Sequence, residues 1–382
     1  MESVLPKSAL ALLNPSEREV LDIVMRYGPV MRQTLVEMTG LTAMSVSRIA
    51  RSLGEKSLIL DVEKRSGGRG NSFKALSIND QALFSLGVNF TQTAIEFGVL
   101  DLGGSLRRYE RRPIEKATSG SVLQQIEAWL AETAAAQEFD LADRLLGIGI
   151  SLPGDFAADG RSVAANALFQ ELRGHDLAQE FSTALGYPVA INSDSNCATV
   201  GERVLGAGKN YENYLYVHLG HGVGGGLVLG GRAYFGPHRN AGIIGNHFPD
   251  DRPRPSGIDL LHTLQTAGHP LADFSDLDGL DPFTIPECRE WIRRAGAQLR
   301  DKLNYPVKLV DPDAVIIGGR LPSDINQALA VEIDQPDFCI TCDMDRFLPR
   351  PKVLGSLLGG KAGVIGAAVL PSYEQLFPNR IR

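Results

Sequence analysis

The 382-residue chain has 43% hydrophobic residues and a net charge of −7, values that are typical of a folded protein with two or three domains. No stretch reaches the roughly 18 apolar residues of a membrane helix, and the first residues lack the pattern of a signal peptide, so we expect a cytoplasmic protein with no membrane partner. Four cysteines are too few for a disulfide framework.

The charge is distributed unevenly along the chain. Residues 1–80 contain 11 Lys and Arg against 9 Asp and Glu, whereas residues 81–382 contain 27 against 36. A mildly basic head on an acidic body fits a small DNA-reading module joined to a larger domain that does not touch DNA. We therefore expect a DNA-binding domain at residues 1–80 and a second domain at residues 81–382.

Two short helices are predicted at the start of the head. In "SEREVLDIVMRYG", Ser16 and Glu19 have the spacing of a capping box and precede a helical stripe of apolar residues. The next helix is expected to bury Leu35 and Met38 and to end in a tight turn at Gly40, where a left-handed residue is easiest for glycine.

A third helix is expected after Thr42, which we interpret as its N-cap. Its apolar residues fall on one face: Val46, Ile49, Ala50 and Leu53. The opposite face is small, polar and basic, and it carries Ser45, Ser47, Arg48 and Arg51. Hydroxyl and guanidinium groups of this kind can contact base edges and phosphates in a major groove. We predict that Thr42 and these four residues form the DNA-binding face.

The stretch "LILDVEKRSGGRGNSFKALSI" alternates on both sides of Gly67-Gly68 and predicts a β-hairpin. Its tip carries Lys64, Arg65 and Arg69 and resembles a wing, because a slim arginine can enter a narrow minor groove. Three helices and a basic hairpin predict a winged helix-turn-helix. The alternative is a helical dimerisation or protein-docking module with a solvated basic hairpin.

The body alternates strand-like apolar runs with helical stretches, which predicts an α/β fold divided between two lobes. Five of its segments, in order, resemble the ROK family: "LGVNFTQTAIEFGVLDLGG", "GIGISLPGDFAADG", "PVAINSDSNCATVGE", "VHLGHGVGGGLVLGGRAYFGPHRNAGIIGNH" and "DPDAVIIGG" with "GGKAGVIGAA". Members of that family are sugar kinases or sugar-responsive repressors with an N-terminal winged helix-turn-helix. The resemblance implies an actin-like body of two ribonuclease-H-like lobes, with sugar and ATP between them.

The resemblance also shows departures from the kinase pattern. Family kinases have a first phosphate loop that reads Asp-x-Gly-Gly-Thr, and the matching stretch here runs from Asn89 through Thr91 and Gln92 to Thr93. Its carboxylate has become an amide and both glycines have gained side chains, which should abolish phosphoryl transfer. The second loop, "GHGVGGGLVLGG", keeps its glycines but has His221 where kinases carry Thr. We interpret it as a former phosphate cradle that now serves as a strand-to-strand turn.

The expected ligand site combines retained and lost family residues. Asp194 matches the general base of the family's Asn-Asp-Ala-Asn motif, and its carboxylate could hold sugar hydroxyls even without catalysis. A structural role for Asp194, as a helix cap or strand-end turn, stays open. The family's Gly-Glu-x-Gly-His motif has become Gly242–Asn246, and its zinc-binding cysteines are absent. The candidate ligand residues are Pro153, Gly154, Asn166, Ser193, Asp194, Ile243 and Asn246.

These observations predict a sugar-responsive transcriptional regulator, expected to be a repressor, with operator DNA and a sugar or sugar derivative as partners. We expect a homodimer or homotetramer, no catalytic residue, no cofactor and no metal. Two alternatives stay open: an active sugar kinase with a DNA-binding head, and a dimeric DNA-binding protein that has lost its ligand.

Overall fold

The computed structural model of the chain describes residues 13–65, 72–91, 93–136, 141–164, 169–249, 251–339 and 349–377. The chain folds into two structural units, each built from segments that are separate in the sequence. The first unit contains Met1–Leu152, Ala165–Ile191 and Ala367–Arg382, and the second contains Pro153–Ala164 and Asn192–Gly366.

The head has the three helices and the hairpin that its sequence predicts: α1 (Pro15–Tyr27), α2 (Arg32–Thr39), α3 (Ala43–Glu55), and the antiparallel pair β1 (Ile59–Arg65) and β2 (Ser72–Ile78). The capping box of α1 is formed by Asn14 and Glu17, so the prediction of Ser16 and Glu19 is wrong. Asn14 Oδ1 accepts from Glu17 N at 3.0 Å, and Glu17 Oε2 accepts from Asn14 N at 2.9 Å. Pro15 favours this earlier start because its fixed φ and missing N–H suit the first helical position.

The buried face of α3 is confirmed, because Val46, Ile49, Ala50 and Leu53 are all buried. Gly40 ends α2 with φ +70°, as its position in the sequence indicated. Met38, however, is 46% exposed, so its expected burial is wrong. The short helix α2 buries Leu35 fully and packs Val36 partly, which turns Met38 toward solvent.

The apolar core of the head continues into the rest of the first unit. One cluster joins the head helices to Leu83, Leu102, Leu146 and Leu376, all of which are buried. The guanidinium of Arg18, on α1, also donates to the backbone carbonyl of Gln375. The head therefore completes its core with residues far along the chain, and the boundary expected between residues 80 and 81 stays a proposal.

The remaining strands of the first unit form a five-stranded sheet in the order β5-β4-β3-β6-β7. The elements are β3 (Phe84–Phe90), β4 (Ala94–Asp101), β5 (Leu106–Pro113), α4 (Ser119–Ala135), α5 (Leu141–Arg144), β6 (Leu145–Leu152), α6 (Leu177–Leu185) and β7 (Val189–Ser193), whose last two residues belong to the second unit. The strands β3, β4 and β5 pair antiparallel, and β3 pairs parallel with β6. Trp129 of α4 stacks on Phe97 of β4, with 5.4 Å between the ring centroids.

The second unit repeats this arrangement, with the strand order β10-β9-β8-β11-β12. Its elements are α7 (Asp194–Val204), β8 (Tyr214–Leu219), β9 (Val223–Leu229), β10 (Arg232–Tyr234), α8 (Gly257–Thr266), α9 (Pro286–Val310), β11 (Ala314–Gly319), α10 (Ser323–Ile333) and β12 (Lys352–Gly355). A last helix, α11 (Ala362–Leu376), begins in the second unit and ends in the first. None of the helices that the structure describes is long and apolar enough to cross a membrane.

Candidate ligand site and DNA-binding surface

The exposed face of α3 is built on a capped N-terminus. Thr42 Oγ1 accepts from the backbone N–H of Ser45 at 3.2 Å, and the two hydroxyl oxygens lie 2.9 Å apart. Ser45 is half-buried and engaged with this cap, so its hydroxyl serves the helix end. Ser47, Arg48 and Arg51 are exposed and lie on the face opposite the core, as predicted.

The predicted wing is described only in its strands. β1 and β2 pair in register from Ile59 opposite Ile78 to Arg65 opposite Ser72, which confirms the hairpin. Arg65 ends β1, but its side chain lies outside the described structure, and so does the whole of Arg69. Their role in DNA binding stays a prediction from the sequence.

The stretch that replaces the first phosphate loop is closed by hydrogen bonds of its own. Asn89, at the end of β3, donates through Nδ2 to Oε2 of Glu96 on β4, at 2.6 Å, and both side chains are buried. Thr91 Oγ1 donates to the Ala94 carbonyl and accepts from the Ala94 N–H, both at 3.0 Å. The Asn89 amide and the Thr91 hydroxyl, at positions where family kinases have aspartate and glycine, thus hold β3 to β4.

The glycine-rich stretch of the second unit forms strand β9 and the turns at its two ends. Gly220–Gly222 connects β8 to β9, as the sequence indicated, and Gly230 and Gly231 turn the chain into β10 with positive φ angles. A Cβ on Gly226 would lie 2.1 Å from Thr199 Oγ1, so this glycine allows β9 to pack closely against α7. A Cβ on Gly222 would lie more than 4 Å from every heavy atom outside its chain neighbours, so this glycine has no such packing requirement.

This contrast predicts opposite outcomes for two alanine substitutions. Gly226→Ala should lower the free energy of unfolding by about 1–3 kcal/mol, because Thr199 is fully buried and cannot move aside freely. Gly222→Ala should change the free energy of unfolding by less than about 0.5 kcal/mol. Urea denaturation of both variants beside the wild type measures the difference. Equal stability of the two variants would contradict the packing argument.

Asp194 begins α7 directly after β7 and so lies at the end of a strand. The Ser193 side chain caps the helix by accepting from Asn196 N at 3.3 Å, and Asp194 Oδ1 accepts from Ser195 N at 2.7 Å. Burial raises the pKa of the Asp194 carboxyl, but His218, the hydrogen bond from Ser195 N and the charge of Arg320 together hold that pKa below its ordinary value. Asp194 is therefore ionised at neutral pH and can accept hydrogen bonds from hydroxyl groups.

His218, which the sequence reasoning missed, lies next to Asp194. Its Nε2 is 3.4 Å from Asp194 Oδ2, its side chain is buried, and neither ring nitrogen has a hydrogen-bond partner among the described residues. His221 follows in the turn after β8, packed edge-on against Phe274 at 5.3 Å between ring centroids. Burial and the Arg320 charge lower the pKa of His221, which favours its neutral form. A histidine inside a buried strand has no sequence motif that would have marked it.

The Pro153-Gly154 turn belongs to the same unit as Asp194. Its next residue, Asp155, has a pKa raised by burial and by the charge of Asp194. Asn240 fixes this segment, because its amide oxygen accepts from Phe156 N at 2.9 Å and its amide nitrogen donates to Phe156 O at 2.8 Å. Asn240, like His218, is a residue that the sequence reasoning missed.

The other predicted ligand residues are less closely tied to Asp194. Ile243 and Asn246 are exposed, and a Cβ on the neighbouring Gly242 would lie 2.8 Å from the backbone of Gly225 and Gly226 on β9, so this segment packs closely against that strand. Asn166 lies outside the described residues.

Asp259 accepts from Trp291 Nε1 at 2.7 Å and from Arg294, so its carboxylate holds α8 to α9. Within the described ranges, no three His, Cys, Asp or Glu side chains are grouped as a metal site would need.

The sequence of the chain is similar to known proteins. A model described as the ROK family matches residues 85–257. An uncharacterized protein of Sinorhizobium fredii is 34% identical over 99% of this chain and 94% of its own length. An N-acetylgalactosamine kinase of Shewanella is 30% identical over 74% of this chain and 95% of its own. A xylose repressor of Bacillus subtilis is 26% identical over 60% of this chain and 59% of its own.

Solved structures confirm the expected fold. A ROK family transcriptional regulator, described as a homologue of the E. coli MLC protein, covers 95% of this chain and 96% of its own, with a TM-score of 0.67 and 21% identity. A ROK family glucokinase of Streptomyces griseus, solved with glucose and AMPPNP, covers 75% of this chain and 98% of its own, with a TM-score of 0.59 and 22% identity. The body thus has the α/β, actin-like fold of such kinases and regulators.

Proposed function

The chain belongs to the ROK family, and on that basis we propose that it is a sugar-responsive, DNA-binding transcriptional regulator, expected to repress, whose kinase-like body does not transfer phosphate. Its relatives include both repressors and kinases, so membership alone does not choose between the two activities. The choice rests on residues of this chain.

The observation that carries the proposal is the exposed face of α3. A helix that buries four apolar residues leaves Ser47, Arg48 and Arg51 in solvent on the opposite side. Such a helix, preceded by two others and followed by a hairpin, has the arrangement that places a recognition helix in a major groove. Two guanidinium groups on that face can reach base edges and phosphates.

The first phosphate loop supports the absence of kinase activity. Phosphoryl transfer depends on Mg²⁺ and on backbone N–H groups that reach the phosphates. Asn89 offers an amide already bonded to Glu96, and Thr91 fills a position where family kinases have glycine. A carboxylate for Mg²⁺ and an open loop are both missing from this stretch.

The effector site is proposed at Asp194 and the Pro153-Gly154 turn. An ionised carboxylate at a helix start can accept hydrogen bonds from vicinal hydroxyls, the feature that sugars share. The sequence adds four further candidate ligand residues to this site: Ser193, Ile243, Asn246 and Asn166. Binding of a sugar or sugar derivative would shift the spacing of two recognition helices in a homodimer or homotetramer and so release a palindromic operator.

The proposal is tested by selecting the operator from random duplex DNA with the full-length protein. Arg48→Ala should then weaken binding to the selected operator by about 1–3 kcal/mol, or roughly 5- to 150-fold, in a fluorescence anisotropy titration. The matched control is Arg293→Ala, because Arg293 is an exposed arginine on α9 of the second unit. Failure to enrich any DNA would overturn the proposed function, and equal affinity of the two variants would move the DNA-binding surface away from Arg48.

A further inference from the structure

One apolar side chain of the head is unusually exposed. Met44, the second residue of α3, is 84% exposed, more than any other large apolar side chain that the structure describes. The core of the head does not use it, since α3 packs through Val46, Ile49, Ala50 and Leu53. Because an exposed apolar side chain gains no stabilisation from burial, folding does not explain Met44 at this position on the helix surface.

Met44 lies on the same stripe as the polar residues proposed to face DNA. Met44, Ser47, Arg48 and Arg51 are spaced as i, i+3, i+4 and i+7, so they follow one side of the helix. Met44 stands in the first turn, next to the cap formed by Thr42 and Ser45. In helix-turn-helix proteins the first residues of the recognition helix are those that contact base edges.

The chemistry of the stripe restricts what Met44 can contact. Arg48 and Arg51 make this face positively charged and complementary to the phosphates of duplex DNA, which they would bring against the whole stripe. The Met44 side chain has no hydrogen-bond donor and only a weak sulfur acceptor, and the apolar group that the major groove offers to it is the C5-methyl of thymine. A flexible thioether can adapt to that methyl group.

We propose that Met44 reads a thymine methyl group in each operator half-site and so helps to set sequence specificity; this inference rests on the proposed DNA-binding function. Loss of one methyl contact corresponds to roughly a three- to fivefold weaker operator. The contact adds discrimination at one base pair, whereas Arg48 and Arg51 would supply most of the affinity.

The test replaces each thymine of the selected operator, one at a time, by deoxyuridine, which lacks only the C5-methyl. We expect one thymine per half-site at which deoxyuridine weakens the wild-type protein roughly three- to fivefold. Met44→Ala should bind the thymine and deoxyuridine operators equally, and Met44→Leu should keep a preference for thymine. Alanine suits a helix, so Met44→Ala should fold, which circular dichroism checks. The matched control is Met38→Ala, because Met38 is an exposed methionine of α2 outside the stripe.

The outcomes separate the inference from the function on which it depends. If no DNA is enriched, the proposed function fails and the inference falls with it. If an operator is enriched but contains no thymine in its half-sites, or if Met44→Ala keeps the full deoxyuridine penalty, only the reading of a methyl group by Met44 is overturned. Loss of the penalty in both Met44→Ala and Met38→Ala would also overturn it.

Discussion

Asp194→Asn is expected to bind the operator as tightly as the wild type but to need at least tenfold more sugar to release it. The carboxylate that accepts sugar hydroxyls would be replaced by a neutral amide of the same size. Charge-assisted hydrogen bonds contribute roughly 1.5–3 kcal/mol each, and about 1.4 kcal/mol corresponds to a tenfold change in affinity. The measurement is an anisotropy titration of operator DNA with increasing sugar, run on both proteins side by side.

The sugar for this titration comes from a thermal-shift screen of monosaccharides, amino sugars and polyols, since a ligand that binds only the native protein raises its Tm. The control is Asp301→Asn, which removes the same charge from an exposed position on α9. Release of the operator at one sugar concentration in wild type, control and Asp194→Asn would mean that Asp194 does not contact the effector. Its role would then be structural, through its hydrogen bond from Ser195 N and its proximity to His218.

The purified protein is expected neither to bind Mg·ATP at millimolar concentration nor to phosphorylate any hexose, and Asn89→Asp alone should not restore activity. A carboxylate at position 89 would face the buried carboxylate of Glu96, the present partner of the Asn89 amide at 2.6 Å. Two like charges at this distance are strongly unfavourable, so one of the two carboxyl groups would hold a proton. Thr91 and Gln92 would also still occupy the positions where family kinases have glycine, which leaves the phosphate loop incomplete. A coupled assay of ADP release with a panel of hexoses measures the activity. Sugar-dependent ADP release that disappears in Asp194→Asn would establish an active kinase.

The contact between positions 89 and 96 also predicts how the stability of Asn89→Asp depends on pH. In Asn89→Asp, repulsion would raise the pKa of one carboxyl of the folded protein above its unfolded value, so the folded protein would hold that proton more tightly. The free energy of unfolding of Asn89→Asp should therefore fall, relative to wild type, as the pH rises from roughly 4 to 7. The double variant Asn89→Asp, Glu96→Gln restores one amide and one carboxylate and should lose this dependence.

Patterns that repeat along the chain were predicted well. The helical period of α3 identified its buried face, the alternation around Gly67-Gly68 identified β1 and β2, and Gly40 has the positive φ that its turn required. The family motifs indicated the fold of the body, because glycines and polar residues at strand ends are close together in the sequence. Each of these features depends on residues within a few positions of one another.

Features that depend on distant residues were missed or misplaced. His218 becomes notable only because the fold brings α7 beside β8, and Asn240 only because it reaches Phe156, 84 positions away. Two polar pairs with capping-box spacing overlap at the start of α1, and the sequence reasoning chose the later one. Met38 has the spacing of a buried residue, but Leu35 is the residue of α2 that the core buries.

The core shared by α1 and the last turn of α11 has a consequence for the order in which the protein can be built on the ribosome. The helices that would read DNA are synthesised first, yet Leu376 belongs to their core and the Gln375 carbonyl accepts from Arg18. A nascent chain that has emerged only as far as β2 lacks these partners. The core beneath these helices is therefore complete only when nearly the whole chain has been made, so the proposed DNA-binding surface and the body would become available together.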